Sequence, residues 1–421
     1  MPVPVISVAQ MREWEKASWA AGRSEAEVIR RAGQEVAKVA LQLTRNDDRI
    51  LVLAGKGHNG DDARAAHPHL AGRRVKLLNV NDPVESMAEL RTLLAKRPSL
   101  VIDGLFGIGL NRPLNPPWME LIECVNEASL PVLAVDAPSG LNADTGEPQP
   151  IAIVASHTVT LGTAKIGLLS ASAFVGKLEL AGDIDLIACP HSSELQWTTV
   201  DDFTGFPPPR RIDGHKGTYG HVAVIAGIEG YHGAAVLTSR GALRARPGLV
   251  SVFCDPAAYL PIASQSQAAM VHPFQAGTPE FRLPDSASAI VIGPGLANRN
   301  LGAEWKRFAN EQWQSFPMPV VVDASALGWI EPGATALNSR RVLTPHPGEA
   351  ARLLGVKAAQ IQENRVAALR AISAKFGNCW VVLKGHQSLI GRNAGEVFVN
   401  SSGDPFLAQG GSGDVLAGFI G

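Results

Sequence analysis

The segment DPFLAQGGSGDVLAG, residues 404–418, joins a loop of small residues to the start of an apolar helical pattern. Free backbone N–H groups at a helix start bind phosphate oxygens, and the glycines of the loop let the phosphates come close to the backbone. A carboxylate at Asp414, in the turn that opens the helix, can take a proton from a hydroxyl group that is being phosphorylated. The segment therefore predicts a site for phosphoryl transfer.

The composition is that of a folded protein with more than one domain. The chain has 421 residues, of which 46% are hydrophobic and 18% charged, enough for sizeable cores in two or three domains. The net charge of −1 excludes a general electrostatic attraction to nucleic acid or to anionic membranes. We therefore expect neither as a partner, and any anion site must be local.

Cysteine usage and the first residues bear on the compartment. No two cysteines form a Cys-x-x-Cys pair, which is typical of free thiols in a reducing compartment. Residues 1–22 carry four charged side chains and lack the apolar core of a signal peptide. No uncharged apolar run is long enough to span a bilayer. We therefore expect a cytoplasmic protein. The cysteines are Cys124, Cys189, Cys254 and Cys379.

The first half alternates helical and strand patterns. Continuous apolar strands separated by helices favour a parallel sheet with helices on both faces. In such sheets ligands bind at the carboxyl ends of the strands, so the turns after Ala54, Ile102 and Val135 are the expected site. Helices are predicted at 8–21 and 25–43, and strands at 49–54, 75–80, 100–103, 132–136 and 157–161.

The second half shows the same alternation after a linker. A run of three prolines within 205–211 is typical of an extended linker, and we place the domain boundary there, giving domains 1–205 and 206–421. Both domains are predicted to be of the α/β class. Strands are predicted at 221–226, 249–254, 289–292, 320–323 and 380–383, and helices at 234–244, 303–315, 347–354 and 361–376.

Three polar turns of the first half follow predicted strands. They are GKGHNGDD at 55–62, DGLFGIGL at 103–110 and VDAPSGLN at 135–142. Each alone is compatible with an ordinary solvated turn, because Asp, Asn and Gly are common turn residues. At three strand ends of one sheet they would converge. Asp136 is then a candidate general base, and Ser139 a candidate cation ligand.

Together these turns resemble the NAD(P)H-hydrate epimerase domain, the YjeF N-terminal family, over roughly residues 8–200. The resemblance implies a Rossmann-like three-layer sandwich and inversion at C6 of the hydrated nicotinamide ring of NADHX or NADPHX, with Asp136 as the acid/base residue. It implies a potassium ion held by Asn59, Asp103 and Ser139, whose hard oxygen atoms suit such a cation. The same resemblance implies that the dinucleotide is bound by His58, Asn59, Gly60, Asp61, Asp62, Gly107, Ile108, Gly109, Leu110, Asn111, Arg112 and Pro113.

The first turn departs from the family's pattern, Gly-x-Gly-Asn-Asn-Gly-Gly-Asp, at His58 and Asp61. A carboxylate at Asp61 beside a phosphate-bearing ligand would work against epimerisation, and a protonated His58 would offset it. Lys165 matches a lysine late in the family's domain, and a surface charge is an equally good interpretation of it.

Five motifs of the second half occur in a fixed order. Glycine-rich turns that lead into helices suit phosphates or a dinucleotide, and Lys384 beside a glycine can place an ammonium on a phosphate. Each motif has an ordinary alternative, such as a packing turn, a helix start or a lysine at a hairpin edge. The motifs are KGTYG at 216–220, GPGL at 293–296, TPHPGE at 344–349, LKG at 383–385 and GGSGDVLAG at 410–418.

As an ordered set they resemble the ADP/ATP-dependent NAD(P)H-hydrate dehydratase family, which has a ribokinase-like fold, over about 206–421. The resemblance implies that ADP or ATP with a magnesium ion phosphorylates the C6 hydroxyl and that Asp414 is the base. It implies contacts of the hydrated dinucleotide with Ala234, Gly295, His346 and Asp414. The adenine nucleotide would be bound by Lys384, Gly385, His386, Gln387, Ser388 and Gly413.

Four positions depart from the dehydratase pattern, and they alter packing or shape rather than the charges named above. They are Arg246 in a run that is usually small, Ser325 after Asp323-Ala324, Phe406 where Met is usual and Ala297 after the GPGL motif. The family continues with further helices after the Asp loop. We therefore expect the chain to end within its dehydratase domain, with apolar sheet surface left uncovered.

The order of the two domains matches the family in which epimerase and dehydratase are fused. Two alternatives remain: a small-molecule kinase of the ribokinase-like fold, and a nucleotide-sensing or scaffold protein with degenerate sites. We expect a homo-oligomer that acts on NADHX or NADPHX. The residues leave the phosphate donor open, although bacterial members of the family generally use ADP.

Overall fold

The described part of the chain divides into two units. The computed structural model describes residues 2–274, 283–297, 301–333 and 340–421, and the units span 2–197 and 198–421. We predicted the boundary between 205 and 206. The second unit begins earlier because Thr198 already pairs with its sheet: the backbone N–H and the hydroxyl of Thr198 donate to the carbonyl of Val399, at 3.1 and 3.0 Å.

The N-terminal unit contains a six-stranded parallel sheet. The sheet has the order β3-β2-β4-β5-β6-β7, and a short antiparallel ribbon pairs β1 with β8. The strands are β1 (Val3–Pro4), β2 (Arg49–Ala54), β3 (Arg74–Asn79), β4 (Leu100–Gly104), β5 (Val132–Val135), β6 (His157–Leu161), β7 (Lys177–Ala181) and β8 (Leu195–Trp197). The helices are α1 (Val8–Ala20), α2 (Glu25–Leu43), α3 (His58–Ala66), α4 (Pro83–Ala95), α5 (Pro116–Glu127) and α6 (Ser172–Val175).

Helices cover both faces of this sheet, as the continuous apolar strands predict. Alternate residues of a strand point to opposite faces. Ile50 and Val52 of β2 therefore pack in a core with α2 and α3, whereas Leu51 and Leu53 pack in a second core with α4 and α5. The prediction of a parallel α/β sheet is confirmed. The strands that we did not predict are β1, β7 and β8, which are two to five residues long.

The C-terminal unit is also an α/β domain. Its sheet has the order β17-β16-β15-β14-β13-β12-β9-β10-β11, parallel from β15 to β11, with β16 and β17 antiparallel at one edge. The strands are β9 (His221–Ile225), β10 (Leu249–Cys254), β11 (Met270–Pro273), β12 (Ala289–Ile292), β13 (Val320–Val322), β14 (Arg341–Leu343), β15 (Trp380–Leu383), β16 (Leu389–Gly391) and β17 (Val397–Val399). The helices are α7 (His232–Arg244), α8 (Tyr259–Ala263), α9 (Ala303–Ser315), α10 (Pro347–Leu354), α11 (Ala358–Glu363), α12 (Arg365–Lys375) and α13 (Ser412–Ile420).

The single helix predicted at 361–376 is wrong. The structure has two helices, α11 and α12, which meet at Asn364. The side-chain oxygen of Asn364 accepts a hydrogen bond from the backbone N–H of Ala367 at 2.9 Å and so caps the start of α12. An Asn whose side chain caps a new helix also ends the preceding helix. The spacing of apolar residues alone did not reveal this interruption.

Two glycines let α13 pack directly on the backbone of α7. A Cβ at Gly241 would lie 2.1 Å from the carbonyl oxygen of Val415, and one at Gly418 would lie 1.9 Å from that of Thr238. Neither position can therefore carry a side chain without moving the helices apart. This contact fixes α13, and hence the start of α13 at Ser412, against α7.

A buried histidine makes the stability of the C-terminal unit depend on pH. His221 opens β9 and is 4% exposed, and its two ring nitrogens are hydrogen-bonded to Ser286 at 2.9 Å and Ser251 at 2.8 Å. Burial lowers the pKa of His221, and nearby His272 lowers it further. Since the unfolded chain binds this proton more readily, protonation favours unfolding.

We therefore expect the contribution of His221 to the free energy of unfolding to be constant above the ordinary histidine pKa of about 6.5 and to fall as the pH drops below it. Urea titrations at several pH values measure this. In the variant His221→Gln the fall should be smaller, whereas His67→Gln, an exposed control, should keep it. An unchanged pH dependence in His221→Gln would reject the assignment.

Candidate functional site

A cavity of about 640 Å³ lies at the carboxyl edge of the N-terminal sheet. Its walls come from α1, from the start of α3, from the loop after β4 and from the ends of β5 and β6. We call it the N-terminal cavity. Parallel strands end at the same edge of a sheet, which is why turns distant in sequence share this space.

Asp103 and Ser139 are in direct contact beside the cavity. The Ser139 hydroxyl donates to Oδ1 of Asp103 at 2.6 Å, and the Ser139 backbone N–H donates to Oδ2 at 2.8 Å. Both residues are fully buried. Burial raises the pKa of Asp103 to about 6, although hydrogen bonds from Ser139 and Leu105 lower it. The hydrogen bonds to this buried carboxylate thus come from a hydroxyl and from backbone N–H groups, none of which carries a full positive charge.

Asn59 lies against the segment that follows Asp103. It is 8% exposed, lines the cavity, and neither its side-chain oxygen nor its nitrogen has a hydrogen-bond partner among the described residues. A Cβ at Gly107, in the loop after β4, would lie 3.1 Å from Oδ1 of Asn59. A buried amide without a partner is costly, so an oxygen in this position favours binding of a ligand or cation.

Close backbone packing holds α3 in place. A Cβ at Gly104 would lie 2.9 Å from the carbonyl oxygen of Asn59, and one at Gly60 would lie 2.0 Å from the carbonyl oxygen of Gly55. The glycine-rich turn therefore serves close approach of α3 to β2 and β4. Gly60 therefore has a structural role, and its contact with the dinucleotide stays a prediction.

Asp136 lies at the end of β5 with one carboxylate oxygen held in place. Its φ of +62° is in the left-handed region, which few residues other than glycine adopt and which is often used at functional sites. Oδ1 accepts hydrogen bonds from the backbone N–H of Leu161 at 3.1 Å and from Nζ of Lys165 at 2.6 Å, with the Thr160 hydroxyl at 3.4 Å. The residue also lines the N-terminal cavity.

Lys165 is a buried partner of Asp136, so the interpretation as a surface charge is wrong. Its side chain is 0% exposed, and Nζ also donates to the Leu161 carbonyl at 2.7 Å and to the Thr160 hydroxyl at 3.1 Å. An ammonium this deeply buried is found where it is paired and fully hydrogen-bonded. It stabilises negative charge on Asp136.

The structure brings most of the predicted binding residues of this half to the cavity. His58, Asn59, Asp62 and the loop 107–112 line it. Burial raises the pKa of Asp62 well above its usual range, and the carboxylates of Asp136, Asp61 and Glu15 add to the rise. Three predicted residues, although described in the structure, are not among the residues that line the cavity: Gly60, Asp61 and Pro113.

The carboxylate of Asp61 is neutralised locally. It accepts a hydrogen bond from Nη1 of Arg64 at 2.8 Å, one turn further along α3, and Nη2 of Arg64 donates to the Gly55 carbonyl at 2.6 Å. The repulsion that the sequence predicted between Asp61 and a phosphate is therefore reduced by a neighbouring guanidinium. His58 pairs with Glu25, at 3.2 Å from Nε2 to Oε1.

A second group of charged residues lies at the carboxyl edge of the C-terminal sheet. Oδ1 of Asp323, after β13, accepts hydrogen bonds from Nζ of Lys384, after β15, at 2.8 Å and from the Thr344 hydroxyl, after β14, at 2.7 Å. Nζ of Lys384 lies 3.8 Å from Oε2 of Glu349. We call Asp323, Thr344, Glu349 and Lys384 the C-terminal cluster.

Asp414 adjoins the C-terminal cluster from the first turn of α13. A Cβ at Gly413 would lie 3.3 Å from Nζ of Lys384 and 3.8 Å from Oδ2 of Asp323. Burial raises the pKa of Asp414 to about 6; the Asp323 carboxylate adds to the rise and Lys384 opposes it. A half-buried carboxyl that titrates near neutrality, beside an ammonium at a helix start, can act as a base.

His346 is fixed as the cap of α10. Its Nδ1 accepts hydrogen bonds from the backbone N–H groups of Gly348 and Glu349, at 3.0 and 3.4 Å, while its own backbone N–H donates to Oε2 of Glu349 at 2.8 Å. The ring is half exposed. This histidine therefore has a structural role, that of a helix cap, which the sequence left open as the ordinary alternative. Its contact with a ligand stays a prediction.

Ala234, near the start of α7, and Gly295, in the turn after β12, are adjacent. A Cβ at Gly295, where φ is +65°, would lie 2.9 Å from Cβ of Ala234 and 2.5 Å from the carbonyl oxygen of Tyr231. The loop before α13 packs on the same helix, since a Cβ at Gly411 would lie 2.4 Å from Cδ1 of Leu237. The predicted contacts of this half thus belong to one region of the domain.

Arg365 holds the turn 384–388, and sequence reasoning missed it. Its guanidinium donates to the carbonyls of Leu383 (3.2 Å), His386 and Gln387 (3.3 Å). Gln387, at a φ of +49°, is 8% exposed, and its side-chain oxygen and nitrogen have no partner among the described residues. Lys384 belongs to the cluster, so the turn lies beside it. An arginine at a helix start carries no sequence signal for such a role.

Comparison with known proteins agrees with this division. Residues 222–421 match the family described as NAD(P)H-hydrate dehydratase. Residues 25–91 and 75–167 match the family described as YjeF-related protein N-terminus. Among the described residues, no helix has the length and apolar character needed to cross a membrane.

Full-length relatives combine both parts. The chain is similar to a bifunctional NAD(P)H-hydrate repair enzyme Nnr of Coxiella burnetii, with 34% identity over 98% of this chain and 88% of that protein. The Escherichia coli enzyme of the same name is 32% identical over 94% of this chain and 80% of that protein. A crystal structure of the ADP/ATP-dependent NAD(P)H-hydrate dehydratase from Bacillus subtilis, co-crystallized with ATP/Mg2+, is 30% identical and covers 51% of this chain and 75% of that chain, with a TM-score of 0.45. The chain therefore belongs to the family of bifunctional NAD(P)H-hydrate repair enzymes.

Proposed function

We propose that this protein repairs hydrated nicotinamide coenzymes with two sites. The N-terminal unit interconverts R- and S-NAD(P)HX, and the C-terminal unit dehydrates S-NAD(P)HX to NAD(P)H at the expense of ADP or ATP. One observation carries the proposal: each unit has an aspartate and a lysine in contact at the carboxyl edge of its sheet. Each of the two units also matches the family of one of the two reactions.

In the N-terminal unit, Asp136 is the acid/base residue for inversion at C6. Lys165 and the Leu161 N–H hold its Oδ1, so the orientation of the carboxylate is fixed before substrate binds. The loop 107–112 and His58 hold the dinucleotide in the cavity. Asp61 does not repel the phosphates strongly, because Arg64 offsets its charge.

A potassium ion fits the group formed by Asn59, Asp103 and Ser139. The fit rests on the side-chain oxygen of Asn59, which is buried and lacks a partner, and on hard oxygen donors from the other two residues. Potassium would supply positive charge beside the dinucleotide. Asp103 would then stay ionised despite its burial.

We expect the N-terminal unit to melt at a higher temperature in potassium chloride than in choline chloride at equal ionic strength, because an ion that binds only the folded state stabilises it. Thermal unfolding measures this directly, and epimerisation should rise in parallel. In the variant Asn59→Ala the difference between the two salts should disappear. A wild-type melting temperature that is equal in both salts would exclude the ion.

In the C-terminal unit, Asp414 takes the proton of the C6 hydroxyl as the terminal phosphoryl group is transferred to that oxygen. Lys384 and the N–H groups at the start of α13 stabilise the phosphate charge. Magnesium would neutralise further phosphate charge when the nucleotide is bound. The phosphate then leaves with the electron pair of the C–O bond, and loss of a ring proton restores dihydronicotinamide.

Arg365 should act on nucleotide affinity rather than on the chemical step. It closes the turn 384–388, which the resemblance assigns to the adenine nucleotide, without lying in the cluster itself. Replacement by Lys keeps the charge but loses the planar fork that reaches several carbonyls. We expect Arg365→Lys to raise KM for the nucleotide about tenfold, since one charge-assisted hydrogen bond contributes ~1.5 kcal/mol, with little change in kcat. A fall in kcat alone would contradict this role.

One experiment tests both activities. The purified chain is incubated with a mixture of R- and S-hydrates and with ADP or ATP in separate reactions, and recovery of reduced nicotinamide absorbance is followed. Complete conversion requires both sites, whereas conversion of the S form alone shows dehydration without epimerisation. Nucleotide binding without any recovery would favour a nucleotide-sensing protein instead.

A further inference from the structure

Glu15 enters the N-terminal cavity from a wall that none of the sequence motifs touches. Met11, Glu15 and Trp19 are spaced four residues apart on α1, so they lie on one face of the helix, and all three line the cavity. A carboxyl group that lies between two apolar side chains on one face of a helix is unusual unless it has a function at that position.

The helix that carries Glu15 is firmly attached at the end of β6. A Cβ at Gly162 would lie 2.9 Å from Cε of Met11 and 3.1 Å from Cζ3 of Trp14, so only glycine lets α1 approach this closely. Nε1 of Trp14 donates to the carbonyl of Ile187 at 2.9 Å. Gly162 directly follows Leu161, whose N–H holds Asp136. Glu15 is thus fixed relative to Asp136, although the two come from different walls.

We propose that Glu15 is a second catalytic carboxyl of the epimerisation, acting with Asp136 on the same C6 centre. The inference rests on the proposed epimerase function. Two further observations support a ligand between these walls: the cavity itself, and the buried side chain of Asn59 that lines it without a partner.

The charges around Glu15 suit the role of proton donor. Burial raises the pKa of Glu15, and the Asp136 carboxylate adds to the rise. Lys165, His58 and Arg12 oppose it. Asp62 on α3 also faces the cavity. Asp136, by contrast, accepts a hydrogen bond from the Lys165 ammonium at 2.6 Å. The two carboxyls therefore lie in different electrostatic surroundings, as an acid and a base that act as a pair require.

Inversion at a carbon that bears a hydroxyl and a ring nitrogen can proceed through loss and return of water. Glu15 donates its proton to the C6 hydroxyl, and the C–O bond breaks with its electron pair leaving on water. The nitrogen lone pair forms a C=N⁺ bond. A water on the opposite face then attacks C6, gives its proton to Asp136, and the C=N⁺ electrons return to nitrogen. The reverse isomer uses the two carboxyls with exchanged roles, so no other reactant is needed.

This route makes three measurements decisive. In water enriched in oxygen-18, each inversion should place one heavy oxygen at C6, in excess of the uncatalysed background. Glu15→Gln should lower kcat about 100-fold, the contribution typical of one acid–base group, with KM changed less than twofold. The fall in wild-type rate as the pH rises through the raised pKa of Glu15 should be absent from the residual activity of the variant.

The control is Glu13→Gln, which makes the same change on the same helix at an exposed side chain. It should behave as the wild type, and Glu15→Asp, which keeps a carboxyl, should recover part of the lost kcat. Equal kcat in Glu15→Gln and wild type, a change in KM alone, or inversion without heavy oxygen would each overturn the inference. These results would leave the proposed function intact, whereas a wild-type protein that does not epimerise would refute the function itself.

Discussion

Replacing Asp414 with Asn is expected to reduce nucleotide-driven loss of S-NAD(P)HX by about 10²–10⁴-fold, the contribution of a general base. Asn fits the space but cannot accept the proton of the C6 hydroxyl. Binding of the nucleotide should persist, because Lys384 and the turn 384–388 are untouched. The rate is measured by recovery of reduced nicotinamide, and binding by calorimetry with ADP and with ATP.

The pH dependence gives a second check on Asp414. Its pKa is raised to about 6, and a base must be ionised, so the wild-type rate should fall as the pH drops below about 6. The matched control is Asp404→Asn in the same loop, where the exposed side chain accepts a hydrogen bond from the Phe406 N–H. Undiminished turnover in Asp414→Asn, or an equal loss in Asp404→Asn, would reject Asp414 as the base.

Replacing Lys165 with Met is expected to destabilise the N-terminal unit by about 3–5 kcal/mol, the typical cost of leaving one member of a buried ion pair alone. Asp136 would then take up a proton or adopt another orientation, and epimerisation should be lost. Urea unfolding measures the first effect. Interconversion of purified R- and S-hydrates, in the absence of nucleotide, measures the second.

Two controls separate folding from catalysis at Lys165. Lys177→Met removes an exposed lysine that pairs with Glu179 at 3.2 Å on β7, and it should cost less than about 1 kcal/mol. The double variant Lys165→Met/Asp136→Asn has no buried charge left unpaired, so it should regain much of the stability yet remain inactive. A Lys165→Met variant with wild-type stability and rate would show that the pair matters for neither.

The sequence predicted most of the fold because long apolar runs alternate with helical spacing. The strands β2, β6, β9, β10 and β12 begin where predicted, since most residues of each are buried on both faces and Val, Ile or Leu recur along it. The short strands β1, β8, β16 and β17 were not predicted. They are two or three residues long, and such a segment holds too few apolar positions to show a period.

The predicted strand ends located both candidate sites, but they did not reveal all the residues that form those sites. Asp136 follows an apolar strand, and Asp414 follows a glycine-rich loop, so a sequence pattern points to each. Lys165, Glu15 and Arg365 lie on other elements, and each contributes through partners far away along the chain. A pairing such as Lys165 with Asp136 depends on which strands are neighbours, and no local pattern carries that information.

The crossing of α7 and α13 has a consequence for how this enzyme can change. Because Gly241 and Gly418 bring one main chain against the other, the spacing between Ala234 and Asp414 is set by peptide groups rather than by side chains. Most exposed positions of both helices can therefore mutate freely while that spacing stays the same. A laboratory evolution experiment that selects for altered substrates should accumulate changes throughout the two helices and retain these two glycines.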